Sequence, residues 1–187
     1  MREIKFRGKR IANGKWVYGS LLLWPDGCCT ILESKDGCNY VWKRNIDPDT
    51  IGQYTGLKDR NGKEIYEGDI VRWYEVVPER AYPRVDGEYM DCTTNRIQEC
   101  TEVVQFYQGS FGLGPLRNII NGFLPWYKST LPMLCMPYEG GRVEFREDDP
   151  DYPDNRDEFP GVEKSDLYRA EIIGNIHDNP ELLEDEL

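Results

Sequence analysis

Asp149, Asp151, Asp154 and Asp157 crowd hard oxygen donors into one short stretch, EDDPDYPDNRDEFP. Such carboxylates suit calcium, but a helix-flanked calcium loop also needs a glycine at its sharp turn and a closing glutamate. Pro150 and Pro153 fit that geometry poorly. The stretch therefore reads as an acidic, proline-broken loop, and no metal site is predicted. The six cysteines (28, 29, 38, 92, 100 and 135) form no Cys-x-x-C pair, and a single histidine is available to join them. Zinc sites use short ligand spacings, often with histidine. Cys28 and Cys29 are adjacent, so in a strand they point to opposite faces. All six read as reduced, small hydrophobes.

Covalent catalysis finds no better footing. Gly109-Ser110-Phe111-Gly112 lacks the Gly-x-Ser-x-Gly spacing of a nucleophile elbow. His177 stands beside Asp178 at the entry to an expected helix, where a structural or capping role is the simpler reading. The glycines at 109, 112 and 114 run in the wrong order for a dinucleotide loop, and Pro115 stands where its helix would begin. No motif meets the geometric requirements of an active site. The chain is read as a non-enzyme with no cofactor.

Binding chemistry is better represented. Arg2, Lys5, Arg7, Lys9, Arg10 and Lys15 cluster near the N-terminus, with Phe6 and Trp16 close by for stacking. Contacts from Arg2, Lys5, Arg7 and Arg10 to phosphates would make nucleic-acid binding steeply salt-dependent. These cations do not all share one strand face, and an ordinary solvated hairpin is the preferred reading. The second candidate surface is residues 53–59, where Gln53, Tyr54, Thr55, Lys58 and Asp59 lie on a glycine-hinged segment of the kind that often carries recognition.

The elements that would position these groups show a two-fold rather than a helical period. Ile4 and Phe6 alternate with Lys5 and Arg7, and Asn13-Gly14 turns the chain back. Trp16, Tyr18, Leu22 and Trp24 fall on one face of the next strand, with Val17, Leu21 and Leu23 on the other. Apolar residues on both faces place that strand inside a sheet. Short strands are expected at 29–33 and 38–42, separated by Lys35-Asp36-Gly37. Residues 143–145 and 168–172 alternate as half-exposed strands. Asp178 or Asn179 can cap a short C-terminal helix, with Pro180 at its first position. One further helical turn is expected at 163–167.

The densest turn signals lie in residues 46–73, IDPDTIGQYTGLKDRNGKEIYEGDIVRW. Glycines recur too often there for a helix, and Asn61-Gly62 sits between apolar segments as a type I′ hairpin turn. Gly68-Asp69 then launches a β-rich run, a step seen in SH3-like barrels. The segment QYTGLKDRNGKEIYEGDIV resembles the signature of the YopX-like proteins of bacteriophages and prophages. MREIKFRGKR with NGKWVYGSLL resembles the family's opening hairpin. VVQF at 103–106 with FGL at 111–113 resembles its middle strands, and EIIGNIHDNPELL at 171–183 its closing motif. Near 74–101 and 115–166 no family pattern is found.

That resemblance implies a phage-encoded or prophage-encoded accessory protein, mostly β, of no established biochemical role, and it carries over no catalytic residues. The expected architecture is mainly β: a small barrel or packed antiparallel sheets with an SH3-like element and a short C-terminal helix. Residues 1–187 would form a single domain with excursions near 74–101 and 115–166. The Pro-rich apolar residues of 115–138 should pack on the body or on another subunit, making a homo-oligomer possible.

Charge divides unevenly. Residues 1–143 carry 19 Lys/Arg and 18 Asp/Glu, and residues 144–187 carry 4 and 16, which recovers the net charge of −11. No apolar run approaches the ~20 residues that cross a membrane, and no signal-peptide core is present. The expected place is therefore the cytoplasm of a bacterial host. The expected role is that of a protein-interaction module for an unidentified host or phage protein, with nucleic-acid binding as the alternative.

Overall fold

The computed structural model describes residues 3–35, 39–79, 94–107, 110–114, 146–147, 152–167 and 169–183. Arg2, Asp149, Asp151, the expected strand at 143–145 and the apolar residues of 115–138 lie outside them. The described chain is almost entirely strand: β1 (Phe6–Lys9), β2 (Trp16–Leu23), β3 (Cys29–Ser34), β4 (Tyr40–Ile46), β5 (Gly52–Lys58), β6 (Glu64–Tyr66), β7 (Asp69–Glu79), β8 (Thr94–Tyr107), β9 (Ser110–Gly114) and β10 (Glu171–Asn175). They form two antiparallel sheets, one ordered β4-β3-β2-β1-β5-β6 and the other β10-β7-β8-β9. Of the two expected architectures the packed sheets are found, and no closed barrel forms among the described residues.

The inner face of the first sheet is apolar. Val17, Cys29, Ile31 and Ile46 form a buried cluster with Leu21 and Ile51 packed against it. The end of β4 comes back beside β1, where Ile46 bridges Arg10 and Asn45 O accepts a hydrogen bond from Ile11 N at 2.9 Å. The second sheet is dominated by the long β7–β8 hairpin, paired from Ile70↔Val103 to Glu79↔Thr94. Its apolar face, with Val71, Trp73, Cys100, Val104 and Leu113, packs with Ile65 and Ala170.

Local expectations are met where turn chemistry is strong. Asn61-Gly62 does link β5 to β6, but Gly62 alone takes a positive φ (81°), so the expected type I′ turn is not the one formed. Asp59 organises it, its Oδ1 accepting from Asn61 N at 2.9 Å and Lys63 N at 2.8 Å. β2 lies inside its sheet, between β3 and β1. The excursion at 74–101 begins and ends as paired β7 and β8, and its tip lies outside the described residues. The strand expected at 168–172 runs instead as Glu171–Asn175, through the closing motif. The C-terminal helix is a single 3-10 turn, Pro180–Leu183. So short a segment cannot repay helix nucleation. A 3-10 turn also stands at Lys164–Asp166, with Glu163 and Asp166 forming a capping box.

Candidate binding site

Three cations of the opening hairpin meet carboxylates within the fold. Lys5, Arg7 and Lys9 alternate onto one face of β1, and each finds a partner from another element. Lys5 Nζ lies 2.6 Å from Glu64 Oε2, which also accepts from Tyr66 Oη at 2.7 Å. Arg7 Nη1 lies 2.5 Å from Asp69 Oδ1, with both side chains buried. Arg7 Nη2 donates to Glu67 O at 3.1 Å. Its guanidinium stacks between aromatic rings, 4.7 Å from the Trp16 centroid and 5.1 Å from that of Tyr66. Lys9 Nζ pairs with Asp178. Arg10, the remaining described member of the predicted phosphate-binding set, is half-buried near the Ile46 bridge.

The predicted recognition segment 53–59 is strand β5 up to Lys58, with Asp59 just beyond its end. Tyr54, Thr55 and Asp59 are buried. Thr55 Oγ1 donates to Ile65 O at 2.9 Å, and Asp59 Oδ2 accepts from Ile172 N at 3.1 Å. Gln53 is half-buried and Lys58 exposed. The strongest family-like residues thus build the frame: Asp59 organises a hairpin and ties it to β10, while Gly68-Asp69 receives Arg7. Ile176 N donates to Gly68 O at 2.9 Å, which joins the closing motif to the same point.

Asp178 is the polar hub of that closing motif. Its carboxylate accepts from Trp16 Nε1 at 2.7 Å and Asn175 Nδ2 at 2.8 Å besides pairing with Lys9. The Asn175 hydrogen bond and then that of Lys9 hold its pKa well below the ordinary aspartate range. Glu64 is held low in the same way, first by Lys5. His177 is pushed down by burial and by Lys9 and Arg7, which favours the neutral ring; it sits 6.0 Å from the Trp16 ring.

A group with a depressed folded-state pKa contributes stability above its unfolded pKa and loses it as pH falls. The contribution of Asp178 should therefore be intact at neutral pH and fade below about pH 4, the unfolded aspartate value. Thermal melts of wild type and Asp178→Asn should differ at pH 7 and converge towards pH 2. A gap that stays constant with pH would show that charge is not what Asp178 contributes.

What the hairpin chemistry leaves open is the outer face of β2, β3 and β4. Tyr18 is 41%, Trp24 44%, Tyr40 55% and Trp42 50% exposed. Trp24 is fixed by Nε1 donating to Thr30 Oγ1 at 3.1 Å, and its ring centroid lies 6.4 Å from that of Trp42. Arg44 stands beside them, 5.8 Å from the Trp42 centroid. Tyr18 and Tyr40 flank a cleft of about 440 Å³ lined also by Ser20, Leu32 and Ser34. Alternation in the sequence puts Tyr18 and Trp24 on one face of β2, and the β3–β4 register adds Tyr40 and Trp42 to it. Sequence reading missed their function-like exposure, because a Trp or Tyr on a strand is as often core as surface.

Among the described residues no three His, Cys, Asp or Glu side chains are placed to hold a metal ion. No helix among them is long and apolar enough to cross a membrane.

These features define a mainly β protein of two antiparallel sheets, whose signature residues form the polar contacts between its strands. The YopX protein family model matches residues 5–123, and the chain belongs to that family. Among solved structures, the chain is similar to that of protein EF1440 from Enterococcus faecalis. That match has 19% identity, covers 98% of this chain and 99% of the other, and has a TM-score of 0.44. No curated protein matches the chain.

Proposed function

We propose that this YopX-family protein is a non-enzymatic interaction module, an accessory protein of a phage or prophage that works in the bacterial cytoplasm. Its recognition surface is the outer face of β2, β3 and β4. The observation that carries this reading is the cluster of Tyr18, Trp24, Tyr40 and Trp42, all exposed on one sheet face. Aromatic residues grouped in the open are the commonest energetic centres of protein interfaces. The polar groups of the family motifs, in contrast, are engaged within the fold. Lys5, Arg7 and Lys9 already hold carboxylates, which leaves the hairpin less charge for phosphate than its sequence offers.

The test is capture of partners from bacterial lysate by the tagged protein, with nuclease present, comparing wild type with Trp24→Ala/Trp42→Ala. A protein partner should survive nuclease and moderate salt. Its capture should fall by at least about tenfold in the double variant, the loss of one aromatic hot spot. Capture that is indifferent to both tryptophans would overturn the assignment of this face. Capture abolished by nuclease would move nucleic-acid binding to the front.

A further inference from the structure

We propose that the free edge of β4 pairs with the same edge of a second copy, joining two six-stranded sheets across a two-fold axis. Tyr40 and Trp42 are shared with the face described above, but the inference does not rest on that reading, because it needs no other partner.

Backbone direction is the first observation. Trp24 N donates to Cys28 O at 3.0 Å, and Lys35 N donates to Asn39 O at 2.8 Å. Both pairs continue the registers Leu23↔Cys29 and Ser34↔Tyr40. Hydrogen-bonded and non-bonded pairs alternate along an antiparallel ladder. Thr30 and Leu32 therefore bond towards β2, while Ile31 and Glu33 bond towards Lys43 and Val41 of β4. That leaves the N–H and C=O groups of Tyr40, Trp42 and Arg44 pointing away from the sheet. Among the described residues β4 has no neighbour on that side until Asn45 and Ile46 turn back to Ile11 and Arg10.

The side chains give the second observation. Tyr40, Trp42 and Arg44 also share the outer sheet face, and all three are exposed. Antiparallel pairing about Trp42 places Trp42 opposite the second copy's Trp42, and Tyr40 opposite the second copy's Arg44. Both are hydrogen-bonded pairs, ring against ring and guanidinium against phenol. Between them Val41 faces the second copy's Lys43, whose ammonium already has Glu33 at 3.1 Å. No like charges stand directly opposite, so the edge is complementary to itself, as an isologous contact requires. The other free edges fit less well. β6 has only 3 residues, β9 carries Gly112 and Gly114, and β10 already has Ile172 N donating to Asp59 Oδ2 at 3.1 Å. β4 also lacks proline, a common guard of exposed edges. Pairing along one short strand buries less than a standard interface, so the dimer should be weak and reversible.

Sedimentation of the purified full chain from about 5 µM to about 500 µM should show a monomer–dimer equilibrium with a dissociation constant in the micromolar range. As concentration rises, amide exchange should slow at Tyr40, Trp42 and Arg44, while Val41 and Lys43 stay protected throughout. Tyr40→Lys sets two cations opposite each other and should weaken the dimer at least tenfold. Adding Arg44→Glu to the same chain should restore it. Both positions are exposed, so melts should confirm that the variants fold. A chain that is monomeric over the whole range overturns the inference. So does a dimer indifferent to Tyr40→Lys, or one whose amide pattern is unchanged at β4. A monomer that still captures a protein through Trp24 and Trp42 would refute self-pairing alone and leave the proposed function standing.

Discussion

Asp69→Ala is expected to be among the most damaging single substitutions in this protein, at about 3–5 kcal/mol, the usual consequence of stranding one member of a buried ion pair. Asp69 is 2% exposed and has both carboxylate oxygens engaged. One faces Arg7 at 2.5 Å, and the other accepts from Tyr66 N at 2.8 Å, closing the turn that starts β7. Burial pushes the Asp69 carboxyl above its ordinary range, against the pull of Arg7. A raised carboxyl pKa means stability lost as pH rises through it, so ionising Asp69 is not itself the gain. The harm of the alanine comes from what it leaves behind, a buried guanidinium and an unaccepted N–H.

For a protein with a typical total stability of about 5–15 kcal/mol, a loss of that size is a large fraction. It corresponds to a fall of roughly 10 °C in melting temperature. The discriminating measurement is urea unfolding of Asp69→Ala alone and with Arg7→Leu. The double variant should be the more stable of the two, since the uncompensated charge is gone. If Asp69→Ala costs less than about 1 kcal/mol, the pair is not what secures β1 to β7.

Gly19→Ala should be nearly as costly, for a different reason. A Cβ on Gly19 would lie 1.9 Å from Leu32 O and 2.7 Å from Leu32 C, and Gly19 has a φ of +154°. The obstacle is backbone in the adjacent strand, so no side-chain rotation relieves it. β2 and β3 must separate beside the Ser20↔Leu32 pair. The expected loss is about 3 kcal/mol, the upper range for overpacking. Because Tyr18 and Tyr40 flank the cleft over this point, the variant should also disturb the aromatic face. Gly14→Ala is the control: φ is +64° but nothing lies within 4 Å, so only backbone strain of about 1–2 kcal/mol is expected. Equal destabilisation by the two alanines would mean that strand approach contributes nothing at Gly19.

Both substitutions fall in segments that are legible in the sequence, but for reasons that are not. Gly68-Asp69 is readable as a turn into a strand. That its carboxylate holds Arg7, sixty-two positions earlier, is not, because nothing local marks which of many acids an arginine will meet. Asn61-Gly62 is readable as a hairpin turn, and the structure adds that Asp59 organises it. Tyr54 shows the opposite failure. A tyrosine among glycines reads as an exposed loop residue, yet β5 lies inside the first sheet between β1 and β6, and burial follows from that position.

The sequence by itself determined the mainly β class, the strands of the opening hairpin and of β3 and β4, several of the turns, and the family. Those depend on alternation and on glycines at positive φ, such as Gly14, Gly62 and Gly68, which act over a few residues. Only the tertiary structure decided between a barrel and two open sheets. It also tied Lys5, Arg7 and Lys9 of the basic hairpin into ion pairs and, among the described residues, left Tyr40, Trp42 and Arg44 on a sheet edge. Those outcomes depend on which distant strands become neighbours, and the free energy that selects them is shared among contacts that no short stretch contains.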